Sequence, residues 1–184
     1  MREISNSAWL NTLLEVLREE FEPNGVVVLV SEFKYYVNLL LREYADLLRN
    51  VVRLVAEGEL EKALSLLLSD YSYLRGKWLV FTRASTVPRL FKDTVSMLEE
   101  CGIAYQAKIT SDPAEYQNNA RTPVIVYTPS TLAPKYIVEI LRVLLEIRDK
   151  YALREKLYFK PDLFTKKNIY SRSGEIKSYI YLYY

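Results

Sequence analysis

Histidine is absent from this chain, and cysteine occurs once, at Cys101. Without histidine the chain lacks the commonest metal ligand and the usual general base near neutral pH, which argues against zinc hydrolases and against Ser-His-Asp or Cys-His enzymes. A lone cysteine cannot build an internal disulfide framework, and with no base to activate it Cys101 reads as a helix-end residue before Gly102. Glycine is scarce as well, at 5 residues, and neither GxGxxG nor GxxxxGK(S/T) occurs, so phosphate cradling by those loops is excluded. No apolar run approaches the roughly 18 residues of a membrane span. Met1-Arg2-Glu3-Ile4-Ser5-Asn6 lacks the charged-then-apolar plan of a signal peptide. The expectation is a cytoplasmic protein with no membrane partner, no metal and no cofactor. Nor is there a strong charge of either sign: 25 Lys and Arg face 23 Asp and Glu, a net charge of +2. Any anion site must therefore be local. Few glycines, two methionines and 26% charged residues suit a thermophile.

What is present fits a folded protein: 184 residues, half of them hydrophobic, are enough for one or two small cores. The first 75 residues carry helical periodicity. Ser5 or Ser7 can cap a helix from about Ala8 to Phe21, with Trp9, Leu13, Val16 and Leu17 on one face, and Pro23-Asn24-Gly25 ends it. Val26 to Val30 reads equally as a buried strand or as the entry to a helix capped by Ser31. Helical pattern resumes from about Glu32 to Glu57. After Gly58 it continues to Leu68, with Leu60, Leu64 and Leu67 at core spacing. A helical N-terminal region over residues 1–75 is the expectation, followed by a sheet domain over 76–184.

The texture changes near Ser69-Asp70-Tyr71. Gly76 to Thr82 predicts a buried strand, and Ser85 or Thr86 can cap a helix that Pro88 opens and Gly102 ends. Ile103 to Thr110 alternates as a strand, a polar loop starts at Asp112-Pro113, and Pro123 to Thr128 is a short apolar strand. Pro134 begins a helix with Ile137, Ile140, Leu141, Leu144, Leu145 and Ile147 as its core stripe. Lys156 to Phe159 and Ser178 to Tyr183 complete the strands. This order predicts an α+β protein with a mostly antiparallel sheet and helices on one face.

The second half places cations at strand ends and beside loops: Lys77, Lys108, Arg121, Lys160, and the pair Lys166 and Lys167, with Tyr127 among them. Taken singly, each reads as a solvated surface charge. Trp9 and Trp78 read as core aromatics rather than as stacking platforms. The terminal run Tyr179-Ile180-Tyr181-Leu182-Tyr183-Tyr184 is a strand both of whose faces are amphipathic. Because residues 151–184 hold seven Lys and Arg against three Asp and Glu, RNA is a weaker partner expectation, through stacking on tyrosine beside cations.

Four segments carry a resemblance. Gly76-Lys77-Trp78-Leu79-Val80-Phe81, Ala107-Lys108-Ile109-Thr110, Val124-Ile125-Val126-Tyr127-Thr128, and Tyr158-Phe159-Lys160-Pro161-Asp162-Leu163-Phe164-Thr165 followed by Asn168-Ile169-Tyr170-Ser171 resemble the Bles03-like family (DUF1917). The resemblance implies a fold similar to that of the cap-binding translation initiation factor, a curved antiparallel sheet backed by helices. It also implies phosphothreonine lyase chemistry. Against the bacterial effector phosphothreonine lyases the likeness runs over about residues 76 to 172. Lys77-Trp78-Leu79 is similar to their Lys-aromatic-His segment, and Ala107-Lys108-Ile109-Thr110-Ser111-Asp112 to the segment holding their catalytic lysine. Ala120-Arg121 and the strand ending at Tyr127 follow in the family's order, and Lys160 falls where the family has a second phosphate-binding arginine. The resemblance thus implies Lys108 as base, Tyr127 as a positioning or proton-donating group, and Lys77, Arg121 and Lys160 as phosphate-binding residues.

That chemistry suits these residue types. Eliminating phosphate from phosphothreonine or phosphoserine needs a base for the Cα proton, cations to hold the dianion, and a proton for the departing oxygen. A lysine crowded by cations and partly desolvated has a lowered pKa, as expected for Lys108 beside Lys77, Arg121 and Lys160. Leu79 stands where the family has its histidine acid. The functional expectation is therefore a phosphate-recognising protein acting on a phosphorylated peptide by lyase-like elimination without that acid. The alternative is a non-catalytic binding module for a phosphorylated ligand or an RNA end.

Overall fold

The computed structural model describes residues 8–69, 74–103, 106–109, 121–170 and 176–184. The expected caps Ser5 and Ser7, the polar loop from Asp112, Ala120 and Ser171 lie outside those residues.

Helix α1 (Ala8–Phe21) buries Leu10, Leu14, Leu17 and Phe21, a stripe at helical spacing. The sequence reading placed the stripe on Trp9, Leu13, Val16 and Leu17; Leu17 is buried as expected, but Trp9 is 45% exposed and Val16 is exposed too. Residues 9, 13 and 16 lie one position, or about 100° of helix, from 10, 14 and 17. Phe21 decides between them, because its ring meets Tyr181 at 4.6 Å between centroids. A 3-10 turn at Pro23 and Gly25 in the left-handed region (φ 71°) end the helix. Strand β1 (Val26–Val28) follows, then helix α2 (Val30–Ala56), so the apolar run is a strand that passes into a helix before Ser31. Helix α3 (Leu60–Ser69) turns back on α2 and buries Ala63, whereas Leu60 and Leu64, expected in the core, are exposed.

Strand β2 (Gly76–Arg83) leads through a 3-10 turn to helix α4 (Val87–Glu100). Pro88 sits in the first turn of α4 as expected, but Thr86 has helical backbone angles and its side chain caps nothing. Strands β3 (Gln106–Lys108) and β4 (Arg121–Thr128) come next, then helix α5 (Pro134–Lys150), strand β5 (Leu157–Pro161), the short helix α6 (Asp162–Lys166) and strand β6 (Tyr181–Tyr183).

The six strands form one open antiparallel sheet in the order β1-β6-β5-β2-β4-β3. Alternation decides its two faces. Trp78, Val80, Val124, Val126, Leu157, Phe159 and Tyr181 are buried on one face against the α5 stripe of Ile137, Ile140, Leu141, Leu144 and Ile147. Trp78 donates its indole N–H to the Ile137 carbonyl at 3.1 Å, which pins β2 to the first turn of α5. Trp78 is therefore a core residue, as read. Tyr36 of α2 shares a 2.6 Å hydrogen bond with the Thr131 hydroxyl, and the Tyr181 hydroxyl donates to the Thr131 carbonyl at 2.7 Å. The α+β class, the antiparallel sheet and the helices on one face are as expected. Among the described residues no helix is long and apolar enough to cross a membrane.

Candidate functional site

The period of two that buries Trp78 and Val80 turns Lys77, Leu79, Phe81 and Arg83 to the opposite face. In register, Lys77 lies between Tyr127 of β4 and Lys160 of β5, and Lys108 of β3 lies beside Ile125. All five sequence-selected residues, Lys77, Lys108, Arg121, Tyr127 and Lys160, thus share one face of the sheet. Along most of β4 alternation persists, with Pro123 and Ile125 half-buried and Arg121 exposed. It breaks at one end, where Lys77, Tyr127 and Lys160 are only 8%, 9% and 6% exposed.

The cause is the chain that leaves β5. Helix α6 places Asp162 against Lys77, with Nζ to Oδ1 at 2.7 Å and both side chains mostly buried. Lys160 donates to the Ile169 carbonyl at 3.1 Å and lies 4.1 Å from the Tyr170 ring centroid. Burial, followed by the adjacent Lys77 charge, lowers the Lys160 pKa to about 8, against the opposing pull of Asp162.

Tyr127 is the centre of the cluster. Lys77 Nζ, Lys108 Nζ and the Arg75 guanidinium lie 5.3, 5.5 and 5.1 Å from its ring centroid, within cation-π range. Arg75 also donates to Gln106, the residue opposite Tyr127 on β3. Four cations, Arg75, Lys77, Lys108 and Lys160, thus gather at one sheet end, where, among the described residues, Asp162 is the carboxylate present, ion-paired to Lys77.

Three expectations change. Arg121 does not join this group: it pairs with Arg83 at the opposite end of β4, six residues from Tyr127, or ~20 Å at the usual rise of a strand. Its guanidinium binds Glu155 at 2.7 Å. Lys108 is exposed rather than desolvated, and the buried lysines of the cluster are Lys77 and Lys160. Leu79, at the position of the family's acid, lies between Ile125 and Tyr158 on the same face. Two members of the cluster escaped sequence reading. Arg75 precedes Lys77 by two residues, the spacing that keeps a strand face. Asp162 follows Pro161 at a helix start, but a helix of five residues leaves no periodicity to notice.

Two hollows share Arg121, one at its end of the sheet and the other reaching back along the face to Leu79 and Tyr158, two residues from Lys77 and Lys160. One of about 400 Å³ is bounded by Arg83, Arg121, Arg154, Thr86 and Tyr151. The other, of about 420 Å³, is bounded by Leu79, Phe81, Tyr158 and Tyr179. Phe81, Arg121 and Glu155 border both. Compared with known proteins, the chain matches no family model, no curated protein and no solved structure.

Proposed function

We propose that this is a Bles03-like, phosphate-recognising protein that binds a phosphorylated peptide at the Tyr127 cluster. The observation that carries the reading is the charge imbalance there, with Arg75, Lys77 and Lys108 around one ring, Lys160 beside Lys77, and Asp162 as the paired carboxylate. Cations crowded on one face repel each other, and a phosphate dianion relieves that repulsion while accepting charge-assisted hydrogen bonds. Arg75 supplies a planar fork and Lys108 an exposed ammonium, so both are available to an incoming anion.

The test is titration of a phosphothreonine peptide and its unphosphorylated twin into the protein, followed by fluorescence anisotropy. The phosphorylated form is expected to bind more tightly, and added salt to weaken it. Arg75→Ala and Lys108→Ala are each expected to cost about tenfold in affinity, ~1.4 kcal/mol. Equal binding of the two peptides, or both variants binding like the parent protein, would defeat the proposal.

A second reading, elimination of the phosphate, has one observation in its favour: the pKa of Lys160 is lowered to about 8, nearer the range of a working base. In that reaction the Lys160 amine takes the Cα proton, the Cα–H electrons form the Cα=Cβ bond, and the Cβ–O bond breaks onto the phosphate. The product is a dehydroamino acid, lighter by one water than the dephosphorylated peptide. Its absence from the mass spectrum after prolonged incubation removes the lyase reading and leaves the binding reading standing.

A further inference from the structure

The far end of the open face holds an arrangement that the lysine cluster does not use. Arg83 and Arg121 are directly opposed in the antiparallel register, a placement that costs stability when both partners carry the same charge. Arg154, from the segment between α5 and β5, brings a third guanidinium to the same 400 Å³ hollow. Glu155 engages Arg121 at 2.7 Å. Among the described residues no carboxylate lies within ion-pair distance of Arg83 or Arg154, so two positive charges stay unbalanced beside one concavity. The wall opposite the strands includes Thr86, immediately before the first residue of α4, whose 14 residues point the positive end of their dipole to this side. Planar guanidiniums, a helix start and a hydroxyl are together suited to phosphate oxygens.

The adjoining hollow has the opposite chemistry. Phe81 of β2, Tyr158 of β5 and Tyr179, two residues before β6, stand edge to face, with centroids 6.1 and 4.8 Å apart. With Leu79 they line about 420 Å³, within the range of small-molecule pockets. The Arg121–Glu155 pair stands between the aromatic hollow and the arginine hollow and contributes to both. An anion-binding compartment joined to an aromatic one calls for a ligand with an anionic half and a flat aromatic half.

We infer that these joined hollows are a second binding site, for a nucleotide whose base lies in the hollow of Phe81, Tyr158 and Tyr179 and whose phosphates meet Arg83, Arg121 and Arg154. Arg83 and Arg121 lie six residues, or ~20 Å along the strands, from Lys77 and Tyr127, so the two phosphate-binding ends are separate, and the aromatic hollow lies between them, its Leu79 and Tyr158 two residues from Lys77 and Lys160. A base stacks on tyrosine and phenylalanine whatever its identity, so the site favours nucleotides over other phosphates more than it favours one base.

Isothermal titration with ADP, GDP, pyrophosphate and adenosine tests this. At least one of the two nucleotides is expected to bind saturably and at least tenfold more tightly than pyrophosphate or adenosine alone. Arg83→Ala and Arg154→Ala, both at exposed positions, are each expected to weaken nucleotide and pyrophosphate binding about tenfold with no change in thermal midpoint. Tyr179→Leu is expected to weaken the nucleotide and leave pyrophosphate unchanged. Lys108→Ala, in the other cluster, is expected to leave nucleotide binding as it was. The inference is overturned if neither nucleotide binds, if pyrophosphate binds as tightly as both, or if the two arginine variants bind like the parent protein.

Discussion

Lys160 pays for its burial in protons. Its pKa falls to about 8 in the folded protein, from about 10.5 in an unfolded chain, because desolvation and Lys77 disfavour the ammonium. Between those two values the unfolded chain binds more protons than the folded one, so folding stability rises with pH across the window and the penalty is fully present below pH 8. Lys160→Met removes the group. The variant is expected to be more stable than the parent below pH 8, with the difference shrinking toward pH 10.5. Urea unfolding at pH 7 and pH 10 measures this, and a difference that does not change with pH would refute the assignment. Lys77 differs from Lys160 in having a carboxylate partner, Asp162, at 2.7 Å. Lys77→Met strands a mostly buried carboxylate and is expected to cost about 3 kcal/mol, whereas Lys77→Met with Asp162→Asn recovers a large part of that loss. Double-mutant analysis by urea unfolding separates the pair from mere packing. The types of these residues were visible in the sequence, but their partners were not. Nothing in Phe159-Lys160-Pro161-Asp162 says that the aspartate turns back across β2 to Lys77, since that depends on the pairing of β5 with β2.

Individual strands and helices were the most legible level. Alternation in Gly76–Arg83 and Arg121–Thr128, and the 3.6-residue stripe of α5, each recur long enough to stand out. The sequence did not show strand register, which decides whether a cation joins a site. Arg121 was placed with Lys77 because both lie on strands in a suggestive order, yet an eight-residue antiparallel pair carries its first and last residues to opposite ends. Short elements fail for another reason: β1, β3 and β6 have three residues each, fewer than two periods of alternation. The pairing of β2 with β5 imposes a local demand at Gly76, where a Cβ would run into the Phe159 ring and the Thr131 methyl. Gly76→Ala is expected to destabilise by about 1–3 kcal/mol through overpacking. On α1, Leu14→Ala is expected to cost about 2–5 kcal/mol, against under 0.5 kcal/mol for Val16→Ser on the exposed side. Thermal unfolding of these variants discriminates the observed stripe from the expected one, which shares Leu17 with it but runs through Trp9, Leu13 and Val16.

The expected division at residues 75 and 76 meets a sheet that crosses it. β1, from the N-terminal region, pairs with β6 at the other end of the chain, Val26 opposite Tyr183 and Val28 opposite Tyr181. Tyr181 then packs on Phe21 and Phe33, at 4.6 and 6.2 Å, as well as on Phe159 at 5.2 Å, so a single aromatic cluster draws on both regions. Tyr36 adds an edge contact with Phe164 at 5.9 Å and its hydrogen bond to Thr131. Removing residues 1–75 would strip β6 of its β1 neighbour and expose the Tyr181, Phe159 and Phe164 rings to water. Burying one such side chain is worth roughly 1.5–3 kcal/mol, and the net stability of a domain is only about 5–15 kcal/mol. The fragment 76–184 is therefore expected to lack a cooperative thermal transition and dispersed amide resonances, and mixing it with a peptide of residues 1–75 to restore both. A fragment that unfolds cooperatively by itself would show that the sheet holds its core without the N-terminal helices. In the distal part of the α2–α3 hairpin, Leu48, Val52, Val55, Leu60 and Leu64 are exposed. Val52→Ser and Leu64→Ser are expected to leave the thermal midpoint of the full chain within about 2 °C. The contrast between these variants and the truncation locates the stabilising role of the first 75 residues in α1, β1 and the first turns of α2, where they meet the sheet.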